Sequence, residues 1–298
     1  MSDDLWKFLG LGIFGMFIIH GSLQPRVRHY VIRQAREGFG ESGTLRATVK
    51  PRGALGLLAN DVWAIDLYGE NNVSTGIPFK LYPKGGWKGS IRHLRIHFKN
   101  FEMNGMRVAG LEGDIPFAKY DISHAMVRGR LHLRGADPGT ATVLLSAENV
   151  RDAMQKRFGN LISDATVTLE KDRVLIAGKL LLLGLRQAFR STNSLVVREG
   201  RLELADSAFF LNEKLVPSLT MASMLKQINP VFDVERDLKV TNFFTITGVK
   251  VSTEVIRVEG TLRLPIEEPA PKKVEPPRPK PDPFENQEDN EKVGEPDW

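Results

Sequence analysis

Val174-Leu-Ile-Ala-Gly178-Lys-Leu180-Leu-Leu182 and Val196-Val-Arg-Glu-Gly200-Arg-Leu202-Glu-Leu204 are two copies of one pattern, and their reading decides the fold. The shared core, Gly-x-Leu-x-Leu, returns as Gly129-Arg-Leu131-His-Leu133 and as Gly260-Thr-Leu262-Arg-Leu264. Successive side chains on a strand point to opposite faces, so the paired leucines share one face and the residues between them share the other. Those residues are Arg130, His132, Lys179, Leu181, Arg201, Glu203, Thr261 and Arg263, and all but Leu181 are polar. This is the pattern of antiparallel sheet with one apolar and one wet face. Each glycine is expected at a strand start or a bulge, where a large sheet bends. The chain therefore builds a curved wall, and the functional question is what fills its concave side.

At 298 residues the chain can form one large β-rich domain or two smaller ones. It has no cysteine, which excludes disulfides, thiolate metal sites and cysteine nucleophiles. The formal charge of +5 is unevenly spread: from Pro265 onward there are ten acidic and five basic side chains, so residues 1–264 carry +10. A body that basic points to an anionic partner, either nucleic acid or a membrane surface.

The N-terminus favours the membrane. Phe8 to Ile19 is an unbroken run of apolar residues and glycines, and Leu5–Leu23 contains only Lys7 and His20 as ionisable groups. As a helix the longer window spans roughly 28 Å, against about 30 Å for a bilayer core. A cleaved signal has a basic start and a small-x-small exit; here the start carries Asp3 and Asp4 and no Ala-x-Ala follows. An uncleaved anchor is the preferred reading, with a cleaved signal and a buried core helix as alternatives. Gly10-Leu-Gly12-Ile-Phe-Gly15 matches a dinucleotide fingerprint by letter, but no strand precedes it and no βαβ unit follows. Arg26, Arg28, Arg33 and Arg36 follow the hydrophobic run, and by the positive-inside rule they hold that side in the cytoplasm. In Pro25–Phe39, Val27, Tyr30, Val31, Ala35 and Phe39 approximate helical spacing, with the arginines on the other side. That helix is either an ordinary lead-in with a solvated face or one lying on anionic lipid.

From Thr44 to Leu133 strands and turns dominate. The best strands are Val62–Tyr68, Ile91–Phe98 and Met126–Leu133, with turn signals at Asn71-Asn72, Gly85-Gly86 and Asn104-Gly105. Leu94, Ile96 and Phe98 share one face, with His93, Arg95 and His97 on the other. Two histidines four apart would suit a metal on a helix, but alternation makes this a strand, and no metal site is expected.

Thr140–Leu145 is strand-like and Ser146 can cap a helix. Val150, Met154, Phe158 and Leu161 follow at helical spacing, widened by Ala153 and Ile162. A second helix is expected at Ser218–Asn229, with Met221, Met224, Leu225 and Ile228 apolar and Pro230 as its stop. Each helix precedes strands ending in Gly-x-Leu-x-Leu, so Ser146–Leu182 and Ser218–Leu264 read as diverged relatives. The stretch from Pro265 holds nine prolines and few aliphatic residues; it cannot bury enough surface to order itself.

With these residues in view, the chain resembles the LmeA-type phospholipid-binding family of bacteria. The similarity is of pattern: an N-terminal hydrophobic segment, the leucine-rich lead-in Leu55-Gly-Leu-Leu58, and a helix before Asp164-Ala-Thr-Val-Thr-Leu. The close runs from Ile228-Asn-Pro230 through Thr247-Gly-Val-Lys-Val251 to Val258-Glu-Gly-Thr-Leu262. It covers roughly residues 30–265 and has no catalytic signature to transfer. The resemblance implies an elongated sheet curled around helix, an apolar tunnel for acyl chains, and a body facing the cell envelope. On it alone, the orientation is resolved toward the extracytoplasmic side.

The expected fold is α+β, mostly β: an elongated curved antiparallel sheet, tubular and lipid-binding-like, wrapped around two amphipathic helices. Its parts are an anchor or signal at 1–24, a basic helix at 25–40, a lipid-binding-like body at 41–265 and a disordered acidic tail at 266–298. Tunnel candidates are Val150, Met154, Phe158, Leu161, Leu180, Leu182, Leu202, Leu204, Met221, Met224, Leu225, Leu262 and Leu264. Candidates for head groups or a membrane surface are Arg26, Arg28, Arg33, Arg36, Arg92, Arg95, Arg128 and Arg130. The function expected is membrane-tethered binding or transfer of phospholipid-like ligands; the alternative is a solidly packed envelope protein whose tail recruits a protein partner. No Gly-x-Ser-x-Gly elbow, His-Glu-x-x-His motif or phosphate loop is present, so neither catalysis nor a cofactor is expected. Nucleic acid is not expected either, since the basic residues form no recognition helix or stacking strand.

Overall fold

The structure, a computed structural model, describes residues 24–53, 61–74, 79–83, 88–182, 184–233 and 243–267. The hydrophobic run at Leu5–Leu23, Gly85-Gly86 and the tail beyond Glu267 lie outside the described residues, while Ile266 and Glu267, assigned to the tail, pair with Leu81 of the body. Among the described residues no helix is long and apolar enough to cross a membrane.

The chain enters along α1 (24–39) and passes through β1 (Thr44–Pro51), β2 (Asp61–Glu70), β3 (Val73–Ser74), β4 (Lys88–Met103) and β5 (Met106–Asp121). Then come α2 (Ile122–Arg128), β6 (Leu133–Gly135), β7 (Gly139–Ser146) and α3 (Ala147–Phe158). A meander follows of β8 (Ile162–Glu170), β9 (Arg173–Leu182), β10 (Leu185–Arg198), β11 (Arg201–Leu211) and β12 (Lys214–Leu215). The last elements are α4 (Ser218–Ile228), β13 (Phe244–Val251) and β14 (Val255–Leu262). The larger sheet has the order β1-β2-β4-β5-β7-β14-β13, with β3 beside β4 and β6 beside β5. The smaller is β12-β11-β10-β9-β8, and it meets the larger where β10 and β11 lie against β13. The protein is mostly β with large curved sheets, as the alternating leucines predict.

The expected antiparallel pairing holds between the named strands with one correction: β2 and β3 both run parallel to β4. Parallel neighbours need a crossover rather than a tight turn. The Asn71-Asn72 signal does mark a turn, with Asn71 at φ 57°, but it leads into β3 and that crossover instead of a hairpin. Asn104-Gly105, by contrast, closes a true hairpin between two strands of 16 residues each. Both turn residues have positive φ, which matches the twist of the flanking strands.

Met126–Leu133 is the second correction: no strand spans it. Asp121 caps α2 by accepting from the His124 backbone N–H, and Gly129, at φ 65°, ends it. A segment this short spans too few turns for periodicity to separate strand from helix, and the capping Asp121 and the left-handed Gly129 decide the outcome. Leu131 and Leu133 are still buried, but only Leu133 reaches β6. Of the other pattern glycines, Gly200 sits in the two-residue turn joining β10 to β11. Gly178 and Gly260 lie mid-strand, each opposite a register shift in the neighbouring strand. A Cβ at Gly260 would stand 2.4 Å from the Thr245 carbonyl oxygen, so here the pattern marks a close approach rather than a strand start. The two proposed relatives thus share a helix, a hairpin with a bulged first strand, and a glycine opposite that bulge.

Helix α1 is part of the core. Val31, Ala35 and Phe39 are buried, and the Phe39 ring lies 4.7 Å from Phe98 and 5.7 Å from Phe101. Ser146 caps α3 in a reciprocal box with Asn149, and the helix packs on β5, β7 and β8, bridging the two sheets. Beyond α4, Asn229 behaves like a strand residue. Its Oδ1 accepts from the Leu204 N–H at 2.9 Å and its Nδ2 donates to the Leu204 carbonyl at 3.0 Å. Phe232 continues that edge by pairing with Leu202.

Candidate functional site

Where α3 faces the turn of the β4–β5 hairpin, a cavity of about 450 Å³ opens. That volume falls in the range of small-molecule sites, about 300–1,000 Å³. Its lip is polar. Arg107, Lys156 and Arg157 face it alongside Glu102 and Asp152, three cations against two carboxylates. Each has a structural reason for its place. Lys156, in the last turn of α3, donates to the Gly105 carbonyl at 3.1 Å. Arg157 donates to the Pro230 and Val231 carbonyls and lies over the Phe158 ring at 4.8 Å. Asp152 is engaged by Arg151 at 2.8 Å. Arg107 is the loosest: its side chain is 64% exposed and its nearest carboxylate, Glu102, is 3.7 Å away.

Behind the lip two apolar recesses follow, each of about 40 Å³. The first lies against Val150, Met154 and Phe158 of α3 and Leu145 of β7. The second lies deeper, between Phe101, Val108, Val143, Phe244 and Leu262. Met106 borders the lip and both recesses, and Phe232 borders both recesses. A methionine side chain has three rotatable bonds and adapts to irregular space. The arrangement is thus a charged opening above an apolar interior, with Met106 and Phe232 between the parts. Two such recesses are each about the size of one or two small groups and hold no extended acyl chain as they stand.

The tunnel candidates divide. Val150, Met154 and Phe158 line the first recess and Leu262 the second. Leu202 and Leu204 are buried under β11, and Met221, Leu225 and Leu264 pack half-buried against the core. Leu180 and Leu182 are half-buried on β9. The side chain of Met224 lies outside the described residues. Leu161 follows the end of α3 and is 43% exposed, which corrects its assignment to the helix stripe. Gly159 closes α3 one turn earlier than the spacing implies.

None of the arginine candidates lines the cleft. Arg92 lies over the Trp63 ring, and Arg95 sits 3.7 Å from Asp66 and 3.9 Å from Asp114 on the outer face of β4. Arg130 pairs with Glu37 of α1 at 2.7 Å. Arg128 ends α2, and Arg26, Arg28, Arg33 and Arg36 occupy the exposed face of α1. The residues that do line the lip, Arg107, Lys156 and Arg157, escaped the alternation rule because they sit beside a turn and in a helix end. Met106 and Phe232 follow a hairpin signal and a proline; those punctuators were the only sequence signal of where they stand.

Beside Arg130 three rings stack: Tyr82 on His132 at 4.2 Å and His132 on His124 at 3.5 Å between centroids. Burial, with the neighbouring His124 and Arg130, pushes the His132 pKa down to about 4, and burial also lowers that of His124. Both imidazoles are therefore neutral at physiological pH. Among the described residues no group of three or more His, Asp or Glu side chains is placed to hold a metal ion.

No curated protein and no solved structure matches the chain. The model of the LmeA-like phospholipid-binding family matches residues 87–269, from the start of β4 through β14. Every residue lining the cavity and its recesses falls inside that span, and the chain belongs to the LmeA-like phospholipid-binding family.

Proposed function

We propose that this protein is a tethered, non-catalytic carrier of one phospholipid-like molecule, bound with its head group at the lip and an acyl chain toward the deeper recess. The observation that carries this reading is the adjacency of the polar cavity of about 450 Å³ to two largely apolar recesses, with Met106 bordering all three. Arg107, Lys156 and Arg157 provide the positive side of a phosphate site, and Asp152 and Glu102 can accept from head-group hydroxyls or ammonium. Swinging Met106 and Phe232 aside joins the recesses into one slot. Burial of an acyl chain contributes about 0.8 kcal/mol per methylene, enough to favour that rearrangement. The hydrophobic Leu5–Leu23 segment is the tether, and the body lies on the extracytoplasmic side in this reading. A second reading, a solidly packed structural protein, is favoured by the small volume of each recess.

Native mass spectrometry of the full chain, freed of detergent and followed by solvent extraction, separates the two. The carrier reading expects one phospholipid mass per chain, lost when Met106→Trp blocks the passage. A chain that stays free of lipid after incubation with liposomes overturns the carrier reading, and a Met106→Trp variant that retains its lipid overturns the placement of that lipid in this cleft. In the first case the packed structural protein stands.

A further inference from the structure

At the end of the smaller sheet, opposite the β8–β9 turn, the β9–β10 hairpin carries Leu180-Leu-Leu-Leu-Gly-Leu185. Over most of β9 the alternation is regular: Val174 and Ile176 are buried on the inner face and Lys179 is exposed on the outer. Toward the tip the rule fails. Leu182 and Leu185 pair across the hairpin on the inner face, yet Leu185 is 66% exposed, because nothing in the described body covers that face there. On the outer face Leu181 is exposed directly across from Arg186. Leu161, whose carbonyl accepts from the Leu181 N–H, adds another exposed leucine.

We propose that this tip enters the surface of an anionic membrane. Exposed leucines lie on both faces of the hairpin end, Leu185 on the inner and Leu181 on the outer. A protein partner would cover one face of such an element, whereas the acyl region surrounds all of it. The cations nearest the tip suit a head-group layer around it. Arg186 lies opposite Leu181, and Lys179, held by Asp164 at 2.8 Å, stands on the same outer face one step back. Arg190 follows, over the Phe210 ring at 5.0 Å. The tip is distinct from the cleft, which lies between α3 and the β4–β5 turn.

The absence of cysteine supplies the test. Leu185→Cys in the full chain is labelled with a polarity-sensitive fluorophore and reconstituted with vesicles of phosphatidylcholine and phosphatidylglycerol with brominated acyl chains. The expected result is blue-shifted emission strongly quenched by bromine, while the same label at Lys171→Cys, in the turn at the other end of β9, stays unshifted and unquenched. Equal, water-like emission at both positions overturns the proposal. So does a blue shift at Leu185→Cys that needs no vesicles and grows with protein concentration, which marks a contact between copies. As a second variant, Leu181→Asp in the labelled Leu185→Cys chain should lower the membrane-inserted fraction of the label, read from bromine quenching, about tenfold or more, the scale of one leucine's burial and a readout at the tip itself rather than at the Leu5–Leu23 tether. Both side chains are exposed, so the melting temperature should hold; unchanged quenching overturns the proposal. Lipid co-purifying with the Leu181→Asp variant reports on the cleft alone, so failure at the tip and failure of the carrier reading are read separately.

Discussion

Lys156 donates from Nζ to the backbone carbonyl of Gly105 across 3.1 Å, tying the last turn of α3 to the tip of the β4–β5 hairpin at the lip of the cavity. The contact joins residues 51 apart in sequence across the lip. Lys156 is exposed, so Lys156→Ala should cost at most about 1 kcal/mol of stability. Dissociation of a bound fluorescent phospholipid, followed by stopped flow, should nonetheless quicken severalfold as the lip loosens.

Arg107 is the lip cation with the weakest internal engagement. Replacing it by Gln removes a charge and gives up only the long, exposed pair with Glu102. Affinity for an anionic phospholipid should fall about tenfold, the scale of one charge-assisted hydrogen bond, with little change for a zwitterionic one. Competition against a fluorescent lipid measures both.

Phe232 is 5% exposed and stands between the recesses. Phe232→Ala should destabilise the fold by about 3–5 kcal/mol, as large-to-small core changes do. Met106→Leu, nearly volume-conserving, should cost less than about 1.5 kcal/mol. Chemical denaturation of the two variants tests the contrast.

Gly260 and Gly248 make a paired experiment on the bulge. At Gly260 an added methyl meets the Thr245 carbonyl oxygen and the Phe244 ring within 2.6 Å, and the backbone atom cannot yield without breaking the ladder. At Gly248 the nearest atom is 3.8 Å away, on the Glu259 side chain. Gly260→Ala should cost at least about 2 kcal/mol and Gly248→Ala less than about 1 kcal/mol, read from their unfolding midpoints.

The Tyr82–His132–His124 stack predicts a pH dependence with a definite sign. His132 titrates at its ordinary 6.5 in the unfolded chain and near 4 in the fold. Between these values the unfolded chain binds the extra proton, so stability is full above pH 6.5 and falls as the pH drops toward 4. The ring is only partly buried and screened by solvent, which limits the loss to about 1 kcal/mol. His132→Phe should flatten that part of the stability profile.

The alternating leucines around Gly178, Gly200 and Gly260, the capping serine at 146 and the Asn104-Gly105 turn were enough to give a bent, mostly β protein with helices laid on it. These are local quantities: period, cap and turn act over a few residues, and the chain displays them directly. They failed where the segment is too short for its period to be read, as at Met126–Leu133, and where a parallel crossover replaces a turn, as after Asn71.

What fills the concave side was decided only in three dimensions. Whether α1 is a surface helix or core depends on Phe39 finding Phe98 and Phe101, about sixty residues away in sequence. The lip of the cavity brings together Arg107 from a strand, Lys156 from a helix end and Val231 from the edge beside β11. No one of them carries a sequence signature, because each belongs to its own element for ordinary reasons of charge, capping or packing. A binding cleft is a property of the space between elements. The sequence by itself determined which faces are apolar; the closure of two sheets around α3 determined which of those faces were left with room between them.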